Sequence, residues 1–396
     1  MTRIIGTVSK GLRAPIIREG DDLVEIVVNT VMNAANAGEF QIKDKDVIGI
    51  TEAIVARAQG NYATIDHIAE DVRNKLGGGT IGVIFPILSR NRFAVCLKGI
   101  AKGAQKIVLM LSYPSDEVGN QLVALDDLDA KNINPYSDLL TESEFKHAFG
   151  ETKHVFTGIN YIDYYRELIE SEGAEAEIIF ANDPRRILDY TDVVLVCDIH
   201  TRERTKRLLR KEGARLVLGL DDILTESVSG SGFNKEYGIL GANKATADKI
   251  KLFPENCNDV VRSIQEKIKE KSGKTVEVMI YGDGAFKDPV GKIWELADPV
   301  VSPGYTDGLK GVPSEVKLKY LADNQFSHLS GEELKQAISE YIENKKASVI
   351  DDMAGQGTTP RKLTDLIGSL CDLTSGSGDK GTPIVYIQGY FDNYTK

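Results

Sequence analysis

Four consecutive segments limit what this chain can fold into: "AEAEIIFANDP" (174–184), "YTDVVLVCDIH" (190–200), "TRERTKRLLRKEG" (201–213) and "ARLVLGLDDIL" (214–224). They read strand, strand, helix, strand. Short apolar runs this rich in Val, Ile and Leu need cover on both faces, and helices between them supply it, which is the rhythm of a small parallel-sheet unit. The pattern predicts an inserted α/β subdomain at 165–250, between an amino-terminal region 1–164 and a carboxyl-terminal region 251–396. Its basic helix, Arg202 to Lys211, reads as a solvated face.

The flanking regions predict a mixed α+β arrangement. "GDDLVEIVVNTVMNAANAG" (20–38) has acids at its start and Gly38 at its end, as a helix should. "KDVIGITEAIVARAQG" (45–60) reads as a β-rich apolar run closed by Gly60. "TIDHIAEDVRNKL" is a short amphipathic helix opened by Thr64, and "TIGVIFPIL" a buried strand. Beyond 250 come a charged helix, "NDVVRSIQEKIKEKSG", and the strand "TVEVMIYGDG". Two further helices and a last strand, "GTPIVYIQGYF", complete the pattern.

With 59 acidic against 48 basic side chains the chain carries a net charge of −11, which disfavours nonspecific binding to nucleic acid or to an acidic membrane surface. No apolar run approaches the roughly 18 residues of a membrane span, and no signal-peptide core opens the sequence, so a cytoplasmic protein is expected. The cysteines at 96, 197, 257 and 371 are too far apart for a zinc or redox motif and should be packed thiols.

Two Gly-x-Gly-x-x-Gly matches, Gly77–Gly82 and Gly376–Gly381, run from helix to strand, the reverse of a dinucleotide fingerprint. The second can still bring backbone N–H groups, Ser377, Gly378 and Lys380 close to a phosphate, although a plain helix-to-strand turn explains the glycines equally well. What remains is acid-rich chemistry. Asp283, between Gly282 and Gly284 at the end of an apolar strand, is well placed for a hard cation, and the Asp351-Asp352 pair and Asp307 have similar loop settings. Arg90 and Arg92, in "SRNRF", can hold an anionic substrate, because a guanidinium pairs bidentately with carboxylate or phosphate; surface ion pairing is the plainer alternative.

The order of these segments resembles the coenzyme F-420-0:γ-glutamyl ligase family. "GDDLVEIV" (20–27), "KDKDVIGITEAIVARAQG" (43–60), "VEVMIYGDGAFKDPVGKIWE" (276–295) and "KLTDLIGSLCDLTSGSGDKGTPIVYIQG" (362–389) carry the resemblance. It implies a γ-glutamyl-ligase-like fold that activates a carboxylate with GTP (or ATP) and Mg2+ or Mn2+ and joins it to an amino acid, L-glutamate. It also implies a homodimer. On the match Asp283 takes the metal-associated aspartate, with Lys287 beside it where the family has an arginine. Arg57 keeps a basic group for the nucleotide, while a family lysine falls on Ala53. The family's acidic loop position falls on Asn160, with Asp163 near, and Asp352 is a further metal candidate. Two other readings follow from these departures: a related ligase with a different carboxylate and amine, or a non-catalytic protein binding a nucleotide or pterin-like ligand.

Overall fold

The computed structural model describes residues 4–155, 157–282, 286–287, 294–295, 302–345, 355, 362–375, 378–393 and 395. The chain opens with strand β1 (Val8–Leu12) and helix α1 (Leu23–Asn36), whose first turn is capped by Asp22 Oδ1 accepting from the Glu25 N–H at 3.0 Å. Leu23, Val27, Val28 and Val31 form its buried stripe. Strand β2 (Val47–Thr51) follows, and then helix α2 (Glu52–Gln59). The run expected to be β-rich through Gly60 therefore breaks at Thr51. Glu52–Gln59 is rich in helix formers, and Gly60 ends it in the left-handed conformation at φ +66° that an αL cap needs.

Strand β3 (Tyr62–Thr64) leads into α3 (Ile65–Leu76), opened by a capping box between Thr64 and His67. Next come β4 (Thr80–Ile84), α4 (Ala94–Lys102), β5 (Lys106–Leu111), α5 (Leu125–Lys131), β6 (Leu140–Thr141), α6 (Glu142–Phe149), α7 (Tyr161–Ser171), β7 (Glu175–Phe180), β8 (Val193–Val196), α8 (Arg202–Lys211) and β9 (Leu216–Gly219). One sheet takes all six of the strands from β4 to β9, in the order β6-β7-β5-β4-β8-β9, parallel except for β6. Alternation along β5 shows why it is buried twice. Ile107, Leu109 and Leu111 join the core under α3, α4 and α7, while Val108 and Met110 join a second core with Ile187, Val194 and Leu209. The parallel unit expected at 165–250 thus begins near residue 80, because β7 and β8 pair with β5 and β4.

A hairpin, β10 (Asn243–Lys244) and β11 (Lys249–Lys251), then pairs antiparallel with β3. The return path is α9 (Cys257–Ser272), β12 (Glu277–Tyr281), the short pair β13 (Phe286–Lys287) and β14 (Trp294–Glu295), β15 (Gly304–Tyr305), α10 (Leu318–Tyr320), α11 (Gly331–Asn344), α12 (Leu363–Ser375) and β16 (Ile384–Gln388). Both chain ends build the second sheet, β1-β16-β2-β12-β15, in which only β2 and β12 are parallel. One face packs Ile48, Ile50, Val278 and Tyr386 against α1 and α9. The other packs Val47, Met279 and Val385 against α12, and there Gly49 leaves room for Cys371 Sγ, which a Cβ would meet at 2.3 Å. All four cysteines are buried free thiols. Among the described residues no helix is long and apolar enough to cross a membrane.

Candidate active site

Parallel pairing of β2 with β12 sets Thr51 opposite Tyr281, so the chain leaves both strands at one end of the mixed sheet. Glu52 then starts α2, and Gly282 follows the last residue of β12. Strand β16 runs the other way and enters at this same end: Ile384 lies opposite Ile50, and the Thr51 N–H donates to the Pro383 carbonyl at 3.1 Å. The helix-to-strand turn holding Gly378 and Lys380 is thereby delivered to the same edge, with Lys380 exposed. Three segments far apart in sequence converge beyond the carboxyl ends of two parallel strands, where α/β sheets commonly place their ligands.

Charge gathers beside this edge. Lys251 Nζ, from β11, lies 2.6 Å from Glu52 Oε1 and 2.8 Å from Oε2, with both side chains largely buried. Burial pulls the Arg92 guanidinium below its usual range, and the carboxylates of Glu52 and Asp372 act against that pull. Arg92 therefore belongs electrostatically to the mixed-sheet edge. Arg90 parts from it: exposed, it adds to the effect of burial in lowering His154 and opposes burial at Tyr161 and Tyr164, all on the parallel-sheet unit.

Arg57 sits on the exposed side of α2, in an open groove of about 630 Å³ between that helix and the β10–β11 hairpin. Arg18, Lys244, Lys249 and Lys251 line it too, with Glu19 the one acid among the described residues on its walls. Lys249 Nζ lies over the Tyr62 ring, 4.5 Å from its centroid. Sequence reasoning picked Arg57 and passed over the hairpin lysines; the signal was the alternation of Lys249, Ile250 and Lys251, which puts two cations on one strand face.

The remaining sequence candidates fall elsewhere. Asn160 caps α7, its Oδ1 accepting from the N–H groups of Ile162 and Asp163 and its Nδ2 donating to Asp163 Oδ2 at 2.6 Å. Asp163 also pairs with Lys146 at 2.9 Å. Both residues thus stand on the parallel-sheet unit, engaged in capping and ion pairing. Lys287 pairs through its backbone with Trp294 in β13–β14. Asp283, Asp352 and Ser377 lie outside the described residues. Among the described residues no three His, Cys, Asp or Glu side chains gather as a metal site.

Comparison with curated proteins returned no match. A family model, F420-0:Gamma-glutamyl ligase, matches residues 11–389, a span that takes in both sheets and the hairpin between them. With nearly its whole length inside that match, the chain belongs to the F420-0:gamma-glutamyl ligase family and is a ligase of the γ-glutamyl type.

Proposed function

We propose that the chain is a nucleotide- and metal-dependent amide ligase. A carboxylate oxygen of the acceptor attacks the γ-phosphorus of GTP (or ATP), the bond to the β–γ bridging oxygen breaks, and an acyl phosphate and nucleoside diphosphate form. The amine of L-glutamate then attacks the acyl carbon. It loses a proton as the C–O bond to phosphate breaks, leaving an amide and inorganic phosphate. The observation that supports this reading most is the meeting of Glu52, Gly282 and the Gly378–Lys380 turn at one end of the mixed sheet, beside a groove rich in cations.

In this reading Arg57, Gly378, Lys380 and Ser377 bind phosphate oxygens, and Arg92 and Arg90 are the candidates for orienting the acceptor carboxylate. Lys287 is assigned a place beside the transferred group. A divalent ion, Mg2+ or Mn2+, would reduce repulsion between phosphate and carboxylate oxygens. Asp283 and Asp352 are its assigned ligands, with Asn160 and Asp163 standing further down the same assignment. Among the described residues no cluster fits an ion, and Asp283 and Asp352 lie outside them. A cytoplasmic homodimer completes the reading.

Phosphate release from GTP and from ATP, measured with Mn2+ or Mg2+, L-glutamate and a pool of small carboxylates, tests it. Release that needs all components together is the expected result. Nucleotide binding with no release under any combination would favour the non-catalytic alternative.

A further inference from the structure

Thr51 and Tyr281 end the two parallel strands of the mixed sheet side by side, and Tyr281 packs with Val47 and Met279 on the face that α12 covers. Its ring lies over Gly49, where an added Cβ would come within 3.5 Å of Tyr281 Cδ1. The hydroxyl at the far end of the ring is buried and makes no hydrogen bond among the described residues. A buried O–H left unmet costs free energy, and few native side chains are left so. Tyr386 shows the ordinary case in the same sheet. Packed on the opposite face, its hydroxyl donates to Asp46 Oδ2 at 2.7 Å.

Burial raises the Tyr281 phenol well above its usual range, so the O–H stays a donor near neutral pH. Ser375, the last residue of α12, lies close enough to oppose that rise yet outside hydrogen-bond geometry, while the Cys371 thiol and the Asp372 carboxylate add to it. Ser375 donates its own proton to the Asp372 carbonyl at 3.0 Å, which leaves lone pairs on Oγ free to accept. The Ser375 carbonyl accepts from Thr382 Oγ1 at 2.8 Å, and the Gly381 carbonyl accepts from the Ala14 N–H at 3.1 Å. These bonds fix both roots of the turn that presents Gly378 and Lys380. The Tyr281 hydroxyl is thus an unpartnered donor set beside one of those roots.

We infer that Tyr281 is a positioning residue for the nucleotide: its hydroxyl donates to Ser375 Oγ when the Gly378–Lys380 turn engages phosphate, and so joins the end of β12 to that turn. In the ligand-free chain the unmet hydroxyl costs stability, and in the nucleotide-bound chain the new bond offsets the cost. Nucleotide affinity is raised by that difference. The inference rests on the ligase reading, which gives the turn to phosphate, and adds the residue that couples the turn to the strand end.

Calorimetric titration of GTP and of ATP, each with Mn2+, into the full chain tests it, together with ligand-free melting and steady-state phosphate release. Tyr281→Phe keeps the ring and loses only the hydroxyl. It should bind nucleotide about fivefold more weakly, as expected for one hydrogen bond, and raise KM with kcat unchanged. Without ligand it should melt at or above the wild-type temperature. Ser375→Ala should lose a similar factor, and the double variant no more than either alone. Tyr386→Phe is the control for a hydroxyl that is already bonded, and should melt lower and bind nucleotide normally. Wild-type affinity in Tyr281→Phe, additive losses in the double variant, or ligand-free melting lowered as in Tyr386→Phe overturns the inference. A wild type that binds neither nucleotide removes the ligase reading and this inference together. A wild type that binds and releases phosphate, with Tyr281→Phe matching it in both, removes this inference alone.

Discussion

In the mixed sheet Val8 pairs with Gln388, and β2 lies between β16 and β12, so β1 has no neighbour until the last strand is made and β2 has none until β12, while β15 follows β12 closely. In the parallel sheet β4, β5 and β7 lie side by side with only the edge strand β6 between them in sequence, and the chain then returns to add β8 and β9 on the far side of β4. One sheet closes a very long loop and the other is assembled from local crossovers. The candidate ligase edge lies on the sheet that closes last. The hairpin that lines the groove is the parallel unit's exit toward that sheet. Chemistry placed at such a junction depends on both halves being folded.

The strongest test of this dependence is the joint itself. Glu52→Leu leaves Lys251 buried beside α2 without its partner and should cost about 3 kcal/mol in denaturant unfolding. Glu52→Leu/Lys251→Met should recover most of that loss; a double variant no better than the single one would show that packing, rather than charge, carries the joint.

Next in size are two glycines, one per sheet. Gly49→Ala drives a Cβ against Cys371 Sγ at 2.3 Å in the mixed sheet and should destabilise by about 2 kcal/mol. Gly82→Ala meets Ile187 Cγ1 at 2.5 Å in the parallel sheet, where Ile187 lies on a short 3-10 turn that can give, so about 1 kcal/mol is expected. If the two sheets melt as separate units, each substitution shifts its own transition in calorimetry. A common shift of a single transition would show them to be one cooperative body.

Local signals made much of this fold readable. Acids and Gly38 marked α1, Thr64 marked α3, and the Val-Ile-Leu runs marked the strands on both sides of α8. Two features escaped. Thr51 makes no side-chain cap bond, so nothing in the sequence announced where β2 gives way to α2. The pairing of β7 and β8 with β5 and β4 depends on crossovers whose partners lie up to about a hundred residues earlier, so the parallel unit was expected to start at 165 and not at 80. The site was legible to the same degree. Arg57 was singled out by resemblance and the glycine turn by its spacing, and the fold places both beside the mixed-sheet edge. The Glu52–Lys251 pair spans 199 positions and has no local signature, and the alternation of Lys249, Ile250 and Lys251 lay in a unit that looked separate. Asn160 was read by the resemblance alone, and its position just ahead of an amphipathic run is equally the mark of the helix cap it forms.

The smallest effect expected is a pH dependence confined to the parallel sheet. Burial raises the carboxyl of Asp198, at the end of β8, although the Thr201 and Thr205 hydroxyls donate to it. A carboxyl raised in the folded state holds its proton more tightly there than when unfolded. Its contribution is present below the unfolded value of about 3.9 and is lost as pH rises through the folded value. Asp198→Asn should therefore flatten the fall in stability above that point, measured by urea unfolding across pH. An unchanged slope would remove this account of Asp198.

Each sheet offers a carboxyl-terminal edge, and the central claim is that phosphoryl transfer takes place at the mixed one. Steady-state phosphate release from GTP, with L-glutamate, a divalent ion and the carboxylate pool, separates them when two paired variants are compared. Arg57→Ala/Lys380→Ala alters the mixed edge; Glu117→Gln/Asp198→Asn alters the parallel edge, where Glu117 accepts from the N–H groups of Ile199 and His200. The account predicts a loss of about 100-fold in the first pair and wild-type rates in the second. A collapse of activity in the second pair with the first unaffected would contradict it.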